Sequence, residues 1–314
     1  MSTPSSAALR EVSDLSPDPR VRIFRRTLAD FDGMEVDAYV VLGSTHVVLL
    51  DTLTCPEDLA QVMATIEPHL ADRQLLCINS HADWDHCWGN GYLKHRRSYV
   101  PLLAHVDCRQ RLISAEALAE LADYQRQSAL FHAVTLVPPT LTFHEQLTIS
   151  AGDLTIELLH TPGHCRDHIA AWLPELHLLL AFDTLEHPLP GIADSSCVPQ
   201  MFSTLHSLLQ LNAQYVLCSH SHSISPALLS NNLTYLNEIE RRAHLLLGQR
   251  IPTTAELPSA VRLIDYPFEE VIAYLSAAEQ KAIDQTYYSQ THARNAQAIL
   301  AYLCSLQGRD ELNT

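Results

Sequence analysis

The sequence predicts an α/β fold in which two β-sheets form a sandwich flanked by helices, with a helical extension at the C-terminal end. Short apolar runs rich in leucine and β-branched residues alternate with amphipathic segments in two successive halves of the chain. This alternation is typical of sheets that are covered by helices. From residue 228 onward apolar side chains recur at helical spacing, which predicts helices there.

The first half of the chain is predicted to contain a short disordered head, several strands and one helix. Residues 1–20 are polar and rich in serine and proline, so we expect no fixed structure there. Strands are expected over Val21–Ile78, interrupted by a helix over Glu57–Leu70. Pro56 suits the start of this helix, and the carboxylates of its first turn suit the helix dipole.

The second half repeats the alternation of helix and strand. An apolar stripe predicts a helix over Ala115–Phe131, and strands are expected over Leu141–Leu159 and Ile169–Phe182. We therefore expect one α/β domain over residues 21–227, followed by a helical extension over residues 228–314.

One predicted loop concentrates potential metal ligands. The apolar run Leu75–Ile78 is followed within a few residues by His81, Asp83, Asp85 and His86. The packing of a strand end does not require two imidazoles and two carboxylates. Divalent cations, in contrast, prefer histidine nitrogen and carboxylate oxygen. The pattern therefore favours a metal site over a solvated charged loop.

Further potential ligands close other strand-like runs. Each of four more apolar runs is followed shortly by a polar side chain of a ligand type. These side chains are Asp51, His164, Asp183 and His220. A site built from the ends of several strands at one edge of a sheet gives this pattern in sequence.

The order of these residues resembles the signature of the metallo-β-lactamase fold superfamily, which is His-x-His-x-Asp-His followed by a distant histidine, an aspartate and a last histidine. The resemblance covers about residues 20–225 and includes the turn Pro162-Gly163-His164. Leu53 stands where the family usually has a glycine after Asp51-Thr52. The resemblance implies a four-layer αββα metallo-β-lactamase sandwich. It also implies two metal sites. His81, Asp83 and His164 would form the first, and Asp85, His86 and His220 the second. Asp183 would bridge the two.

Asp83 is the main departure from the family signature. It stands where the second histidine is expected, so a carboxylate replaces a neutral imidazole. The first site gains a negative charge and a hard oxygen ligand, which favours iron or manganese relative to zinc at fixed geometry. We expect two divalent metal ions, with zinc ahead of iron or manganese. A dizinc site with an unusual ligand, an iron or manganese site, and a weakened first site are the open alternatives.

The resemblance also implies the chemistry of the site. Two ions a few ångströms apart can share a hydroxide and make it nucleophilic near neutral pH. Asp85 is the predicted catalytic residue, which orients this hydroxide and accepts its proton. Asp51 and His160 are expected to hydrogen-bond the ligands and fix their orientation. Candidate substrate contacts lie after the last strand and in the C-terminal helices: His222, Tyr288 and His292.

The predicted function is that of a binuclear metal-dependent hydrolase that uses a metal-bridging hydroxide on a small ester, thioester or lactone. The alternative is a diiron oxidoreductase of the same fold that reduces a small oxidant. Asp83 motivates it, because the flavodiiron branch of the superfamily carries an acidic residue at this position. A binding module without catalysis is disfavoured, because all seven positions retain a side chain that can bind a metal.

Composition disfavours several classes of partner. The net charge of −16 and the lack of a Lys/Arg cluster argue against a nucleic-acid substrate and against anionic membrane surfaces. No apolar run has the length of a membrane span or of a signal peptide core, so a cytoplasmic protein is expected. The eight cysteines form no CxxC pair and are interpreted as small buried side chains. A small-molecule substrate is expected, and a homodimer is left open.

Overall fold

A computed structural model describes residues 9–95 and 99–310 of the chain. Contacts between residues divide it into two compact units, a sheet unit and a helical unit. The sheet unit comprises Met1–His160, Asp167–Phe182 and Ala213–Ile224, and the helical unit comprises Thr161–Arg166, Asp183–Asn212 and Ser225–Thr314.

The first sheet of the sheet unit joins an antiparallel meander to a set of parallel strands. Within the described residues, seven strands are hydrogen-bonded in chain order. They are β1 (Leu9–Glu11), β2 (Val21–Leu28), β3 (Met34–Leu42), β4 (His46–Leu50), β5 (Gln74–Ile78), β6 (Leu102–His105) and β7 (Leu141–Phe143). Pairing is antiparallel from β1 to β4 and parallel from β4 to β7. Strand β4 is a nearly continuous buried run of valine and leucine, as expected where both faces of a sheet are covered.

The second sheet of the sheet unit is mostly antiparallel. Its described strands are β8 (Gln146–Ser150), β9 (Thr155–His160), β10 (Ile169–Leu173), β11 (Leu178–Leu180) and β12 (Tyr215–Leu217). They lie in the order β12-β11-β10-β9-β8, and only the pair β11–β12 is parallel among these strands. Strand β10 is buried throughout, whereas β8 alternates between exposed and half-buried side chains because it lies at the edge.

The main core lies between the two sheets. Val48 and Leu50 of β4 cluster there with apolar side chains of the second sheet, including Leu158. Val47 and Leu49 point to the opposite face, because successive side chains of a strand alternate. That face packs against the apolar stripe of helix α1 (Pro56–Ile66). The sheet unit thus contains a helix layer and two sheet layers.

Three further described α-helices belong to the sheet unit. They are α2 (Trp84–Cys87), α3 (Val106–Leu112) and α4 (Ala115–Gln127). Helix α4 ends four residues before the predicted end, because Ser128 is extended and caps a separate 3₁₀ turn. Helix α1 changes to a 3₁₀ turn at Glu67, one residue before Pro68, whose ring cannot continue an α-helix.

The helical unit contains two long helices and several short ones. Its described helices are α5 (Val198–Leu209), α6 (Ala227–Leu247), α7 (Ala260–Leu263), α8 (Phe268–Val271), α9 (Ala277–Ala282) and α10 (Gln285–Asp310). Helix α10 packs against α6 and α7. None of the helices in the described part of the chain combines the length and the hydrophobicity needed to cross a lipid bilayer.

The N-terminal head is partly ordered, contrary to expectation. The prediction of disorder over residues 1–20 is wrong for Leu9–Glu11, which forms β1 and pairs with Phe24–Arg26 of β2. Arg10 also forms an ion pair with Glu35. This edge pairing depends on a partner strand, which the polar composition of the head does not reveal. Residues 1–8 of the predicted head lie outside the described residues.

The division into units also differs from the predicted boundary between residues 227 and 228. Residues 161–166 and 183–212 group with the C-terminal helices instead of the sheets. Side chains of α6 and α10 hydrogen-bond to the backbone of this second segment, at Glu186 and Ile192 respectively. Such contacts between distant segments leave no periodic signal in the sequence.

Candidate metal centre

The motif loop lies between a parallel strand and a short helix. Strand β5 ends at Ile78, and α2 begins at Trp84, so His81 and Asp83 lie in the connection. The backbone of this region is fixed to a neighbouring loop, since the Thr52 N–H donates to the carbonyl of His86. His81 and His86 are fully buried, with ring centroids 4.2 Å apart.

Three side chains of the sheet unit form a candidate cation site. Asp85, His86 and His220 present ligand atoms that all lie within 4.8 Å of one another. Asp85 Oδ2 is 3.6 Å from His86 Nε2 and 3.4 Å from His220 Nε2. One carboxylate oxygen and two imidazole nitrogens form a donor set that suits a borderline divalent cation such as zinc.

Asp51 orients the two histidines of the motif. Its Oδ2 lies 2.8 Å from His86 Nδ1, which donates to it. Ser80 donates through both N–H and Oγ to the same carboxylate, so that Ser80 Oγ accepts from His81 Nδ1 at 2.9 Å. Both rings therefore use Nδ1 for support and present Nε2 to the site. This arrangement of a supporting carboxylate behind histidine ligands is typical of metal sites in proteins, and the residues fit a bound cation.

The loop that carries His220 is held by strands β2 and β3. His220 Nδ1 donates to the carbonyl oxygen of Glu35 at 2.6 Å, which leaves Nε2 facing Asp85. The Asp37 N–H donates to the Ser219 carbonyl. Arg25 binds the Asp37 carboxylate with two parallel hydrogen bonds of 2.7 Å and reaches the backbone beyond His220. A buried ion pair thus fixes this loop.

Backbone strain is concentrated next to the motif. Asp51 and Leu53 have φ angles of 67° and 62°, in the left-handed region that non-glycine residues rarely adopt. Leu53 is completely buried and occupies the position where the family has a glycine. Such strained residues are concentrated at functional sites, where the surrounding structure holds them.

Asp83 contacts both His81 and Arg111. Its Oδ2 lies 3.3 Å from His81 Nε2, and its Oδ1 forms an ion pair with Arg111. The same guanidinium lies 3.4 Å from Asp167, whose other oxygen accepts from the Ala82 N–H at 2.8 Å. Nearby on α4, burial raises the pKa of a glutamate, Glu120, and the negative charge of Asp83 raises it further.

The helical unit contains His164 and Asp183, with His164 Nε2 and Asp183 Oδ2 separated by 3.8 Å. The glycine before His164 is required by packing. Gly163 has a φ of 150°, and a Cβ at this position would lie 2.6 Å from the sulfur of Met201 on α5. Thr204 of α5 also donates to the carbonyl of Pro162. The turn is therefore pressed closely against this helix.

The other predicted site residues have varied surroundings. The His160 ring stacks on that of His105 at a centroid distance of 3.9 Å. His222 is 70% exposed and contacts Arg25 and Glu35. Tyr288 is buried, and its hydroxyl donates to Glu186 Oε1 at 2.8 Å. The roles of His160, His222 and Tyr288 stay predictions.

His292, the remaining predicted substrate contact, is enclosed within the helical unit, and its role stays a prediction. The ring is buried, its Nδ1 accepts from the Tyr235 hydroxyl, and its Nε2 donates to the Tyr266 carbonyl. Burial lowers the pKa of this histidine, which favours its neutral form. The sequence did not reveal that α6 and the segment before α8 enclose this position.

Sequence reasoning missed Ser80, Arg111 and Asp167. Ser80 was detectable, because a hydroxyl directly before the first motif histidine can bond to that ring. Arg111 lies 28 residues after Asp83 and leaves no local signal. Burial raises the pKa values of the Cys87 and Cys108 thiols well above their usual range, which disfavours the reactive thiolate form of these two side chains.

Comparison with known proteins identifies the family. The sequence profile described as the metallo-beta-lactamase superfamily matches residues 32–220, which include all seven candidate ligands. The chain belongs to the metallo-beta-lactamase superfamily. Its membership confirms the fold class predicted from the sequence, and it confirms the prediction of a metal-dependent hydrolase.

Relatives of this superfamily member include two hydroxyacylglutathione hydrolases. The protein from Rhodospirillum rubrum is 25% identical over 204 residues, which is 61% of this chain and 68% of the relative. The protein from Bartonella tribocorum is 29% identical over 150 residues, which is 46% of this chain and 58% of the relative.

Solved structures of the superfamily share the fold at low sequence identity. A metallo-beta-lactamase family protein from Thermus thermophilus covers 93% of this chain and 95% of its own length, with a TM-score of 0.63 and 17% identity. A metallo-beta-lactamase from Pontibacter korlensis covers 72% of this chain and 97% of its own length, with a TM-score of 0.57 and 19% identity. At these identities the likeness concerns the fold alone.

Proposed function

We propose that this protein is a binuclear metal-dependent hydrolase whose substrate is a small thioester, with esters and lactones as the next classes to consider. The observation that carries the proposal is the group of Asp85, His86 and His220, in which both imidazoles present Nε2 towards one carboxylate. Thioesters come first because hydroxyacylglutathione, after which the relatives are named, carries its acyl group on sulfur.

The proposed ligands follow the family pattern. His81, Asp83 and His164 would hold one ion, and Asp85 would share the other with His86 and His220. Asp183 would serve as a ligand to both ions. Zinc is the expected metal, and Asp83 keeps iron and manganese as alternatives. All seven side chains can donate a nitrogen or oxygen atom to a divalent cation.

The protein side chains divide the catalytic work. When bound, the ions would polarise the carbonyl of the substrate and lower the pKa of a water molecule. Asp85 orients the nucleophile and accepts its proton at a carboxylate oxygen, Oδ1 or Oδ2. Asp51 holds the His86 ring directly and the His81 ring through Ser80, so that Nε2 of each ring stays directed towards the site. His220 is held in the same sense by the carbonyl of Glu35.

A substrate panel tests this function. Zinc-loaded protein should hydrolyse acyl thioesters faster than matched oxygen esters and lactones, and a chelator should abolish the activity until zinc is restored. Asp85→Asn should lower kcat about 100-fold or more, the range expected for loss of a general base. Asp107→Asn, a change of a partly exposed carboxylate on α3, is the matched control and should leave kcat unchanged. Hydrolysis that resists the chelator, or full activity of Asp85→Asn, would refute the proposal.

A further inference from the structure

Asp83 belongs to a closed chain of polar contacts that runs back to its own loop. The Ala82 N–H donates to one oxygen of Asp167, and the other oxygen of Asp167 lies 3.4 Å from Arg111. Arg111 in turn forms an ion pair with Asp83 Oδ1. The series of contacts therefore starts at the backbone N–H of Ala82 and ends at the side chain of Asp83, the next residue in the sequence.

Arg111 is held in this position by a buried carboxylate. The side chain of Asp167 is only 4% exposed, whereas that of Arg111 is 38% exposed. A buried carboxylate is stable only with hydrogen bonds and a compensating cation, and Arg111 supplies the cation. Withdrawal of the guanidinium into solvent would leave Asp167 with its charge uncompensated. Asp167 thus helps to hold the Arg111 side chain, which projects from α3, beside the motif loop.

The contact with Arg111 limits what Asp83 can offer to a cation. Oδ1 is engaged by the guanidinium, and Oδ2 faces His81 Nε2 at a distance of 3.3 Å. The carboxylate is therefore oriented to give one oxygen beside the nitrogen of His81. The positive charge of Arg111 also offsets part of its negative charge.

We propose that Arg111 is the positioning residue that keeps the His81–Asp83 site selective for zinc in spite of the carboxylate at position 83. A single oxygen with a partly offset charge resembles the single neutral nitrogen of the histidine that the family has there. A carboxylate free to use both oxygens with its full charge would be a harder ligand and would favour manganese or iron. The inference rests on the proposed metal-dependent function.

Competitive metal loading tests this role. The metal-free protein is incubated with equal concentrations of zinc and manganese, and the ratio of bound metals is measured by elemental analysis after gel filtration. The variants are Arg111→Met, Asp83→His and the double variant. Because Arg111→Met leaves Asp167 without its cation, Arg111→Met with Asp167→Asn is included as a second version that keeps an acceptor for the Ala82 N–H. Circular dichroism verifies that each variant is folded.

The expected result is a shift that depends on Asp83. In the wild-type background, loss of Arg111 should lower the bound zinc-to-manganese ratio by about tenfold, the lower end of effects seen for residues that support metal ligands. In the Asp83→His background the same loss should leave the ratio nearly unchanged, because the histidine side chain has no carboxylate oxygen that Arg111 could hold.

Two results would overturn the inference. An equal shift in both backgrounds would mean that Arg111 acts through general charge, and no shift in either would mean that Asp83 is not controlled by Arg111. Both results leave the proposed function intact, since the wild-type protein still binds metal. A wild-type protein that binds neither metal would overturn the proposed function and the inference together.

Discussion

At the scale of single residues, Asp51 has the widest influence on the candidate site. It accepts directly from His86 Nδ1 and acts on His81 through the hydroxyl of Ser80. It does so from a left-handed backbone conformation with a φ of 67°. One carboxylate therefore sets the direction in which two candidate ligands present their nitrogens.

Replacement of Asp51 should weaken metal binding more than it weakens the fold. In Asp51→Asn the charge that supports the His86 ring is lost, and metal affinity should fall about 10- to 100-fold. The measurement is competition for zinc with a calibrated chelator. Asp58→Asn is the matched control, because Asp58 is an equally buried carboxylate that pairs with Arg26. A similar loss of affinity in both variants would contradict the role assigned to Asp51.

Leu53 provides a test of backbone strain. Its left-handed conformation costs a residue with a Cβ roughly 1 kcal/mol or more, a cost that glycine does not bear. Leu53→Ala and Leu53→Gly both lose the buried side chain, but only the glycine variant relieves the strain. We expect Leu53→Gly to be more stable than Leu53→Ala by about 1 kcal/mol in urea unfolding. The reverse order, which is usual at ordinary positions, would show that the position is not strained.

The candidate ligands of the motif loop could be predicted from the sequence because they lie close together in it. His81, Asp83, Asp85 and His86 stand within six residues, directly after an apolar run. The roles of Arg111 and Asp167 could not be predicted, because their contacts to this loop join segments that are far apart in the chain. For the same reason, no local pattern indicated that His292 is enclosed.

At the scale of elements, two buried asparagines connect the long helices to one loop of the helical unit. Asn232 of α6 accepts from the Glu186 N–H and donates to its carbonyl, as a neighbouring strand would. Asn295 of α10 accepts from the Ile192 N–H and donates to the Pro190 carbonyl. This loop follows Asp183 directly, so the helices hold the segment that carries a candidate ligand.

Loss of one asparagine should destabilise the helical unit strongly. Asn295→Leu leaves the Ile192 N–H and the Pro190 carbonyl buried without their partner, at a cost of about 1–3 kcal/mol each. We expect a decrease of about 2–4 kcal/mol in the free energy of unfolding, measured with urea. Gln297→Leu, on the exposed side of the same helix, should change it by less than about 0.5 kcal/mol. Equal effects of the two changes would contradict the connection.

Helices were easier to anticipate than strand partners. The predicted helix over Glu57–Leu70 matches α1 except where Pro68 enforces a 3₁₀ turn. The pairing of Leu9–Glu11 with β2 was not anticipated, because a three-residue strand has no periodicity to detect. Strand order depends on contacts across the whole chain, whereas the apolar stripe of a helix comes from residues three or four positions apart.

At the scale of the whole molecule, two buried histidines and one half-buried histidine link stability to pH. Burial lowers the pKa values of His105, His187 and His292 below the ordinary value of 6.5. The unfolded chain therefore binds protons at these sites before the folded protein does. Stability is fully present above the unfolded pKa and is lost as the pH falls below it.

The corresponding prediction concerns the metal-free protein, in which ligand protonation does not compete with metal binding. The free energy of unfolding in urea should decrease between about pH 7.5 and pH 5.5, the range that spans the unfolded histidine pKa. His292→Leu removes one of the three shifted groups and should make this decrease smaller, whatever its effect on stability at the higher pH. An unchanged pH dependence in the variant would show that His292 does not stay neutral in the folded protein.

The proposed hydrolase needs two metal ions, and the most direct test measures bound metal and activity in the same samples. Zinc is added stepwise to metal-free protein, bound zinc is measured by elemental analysis, and thioester hydrolysis is measured on each sample. We expect two zinc ions per chain, with most of the activity appearing only as the second ion binds. Full activity with one ion, or a coloured protein that carries two irons and hydrolyses none of the substrates, would contradict the claim.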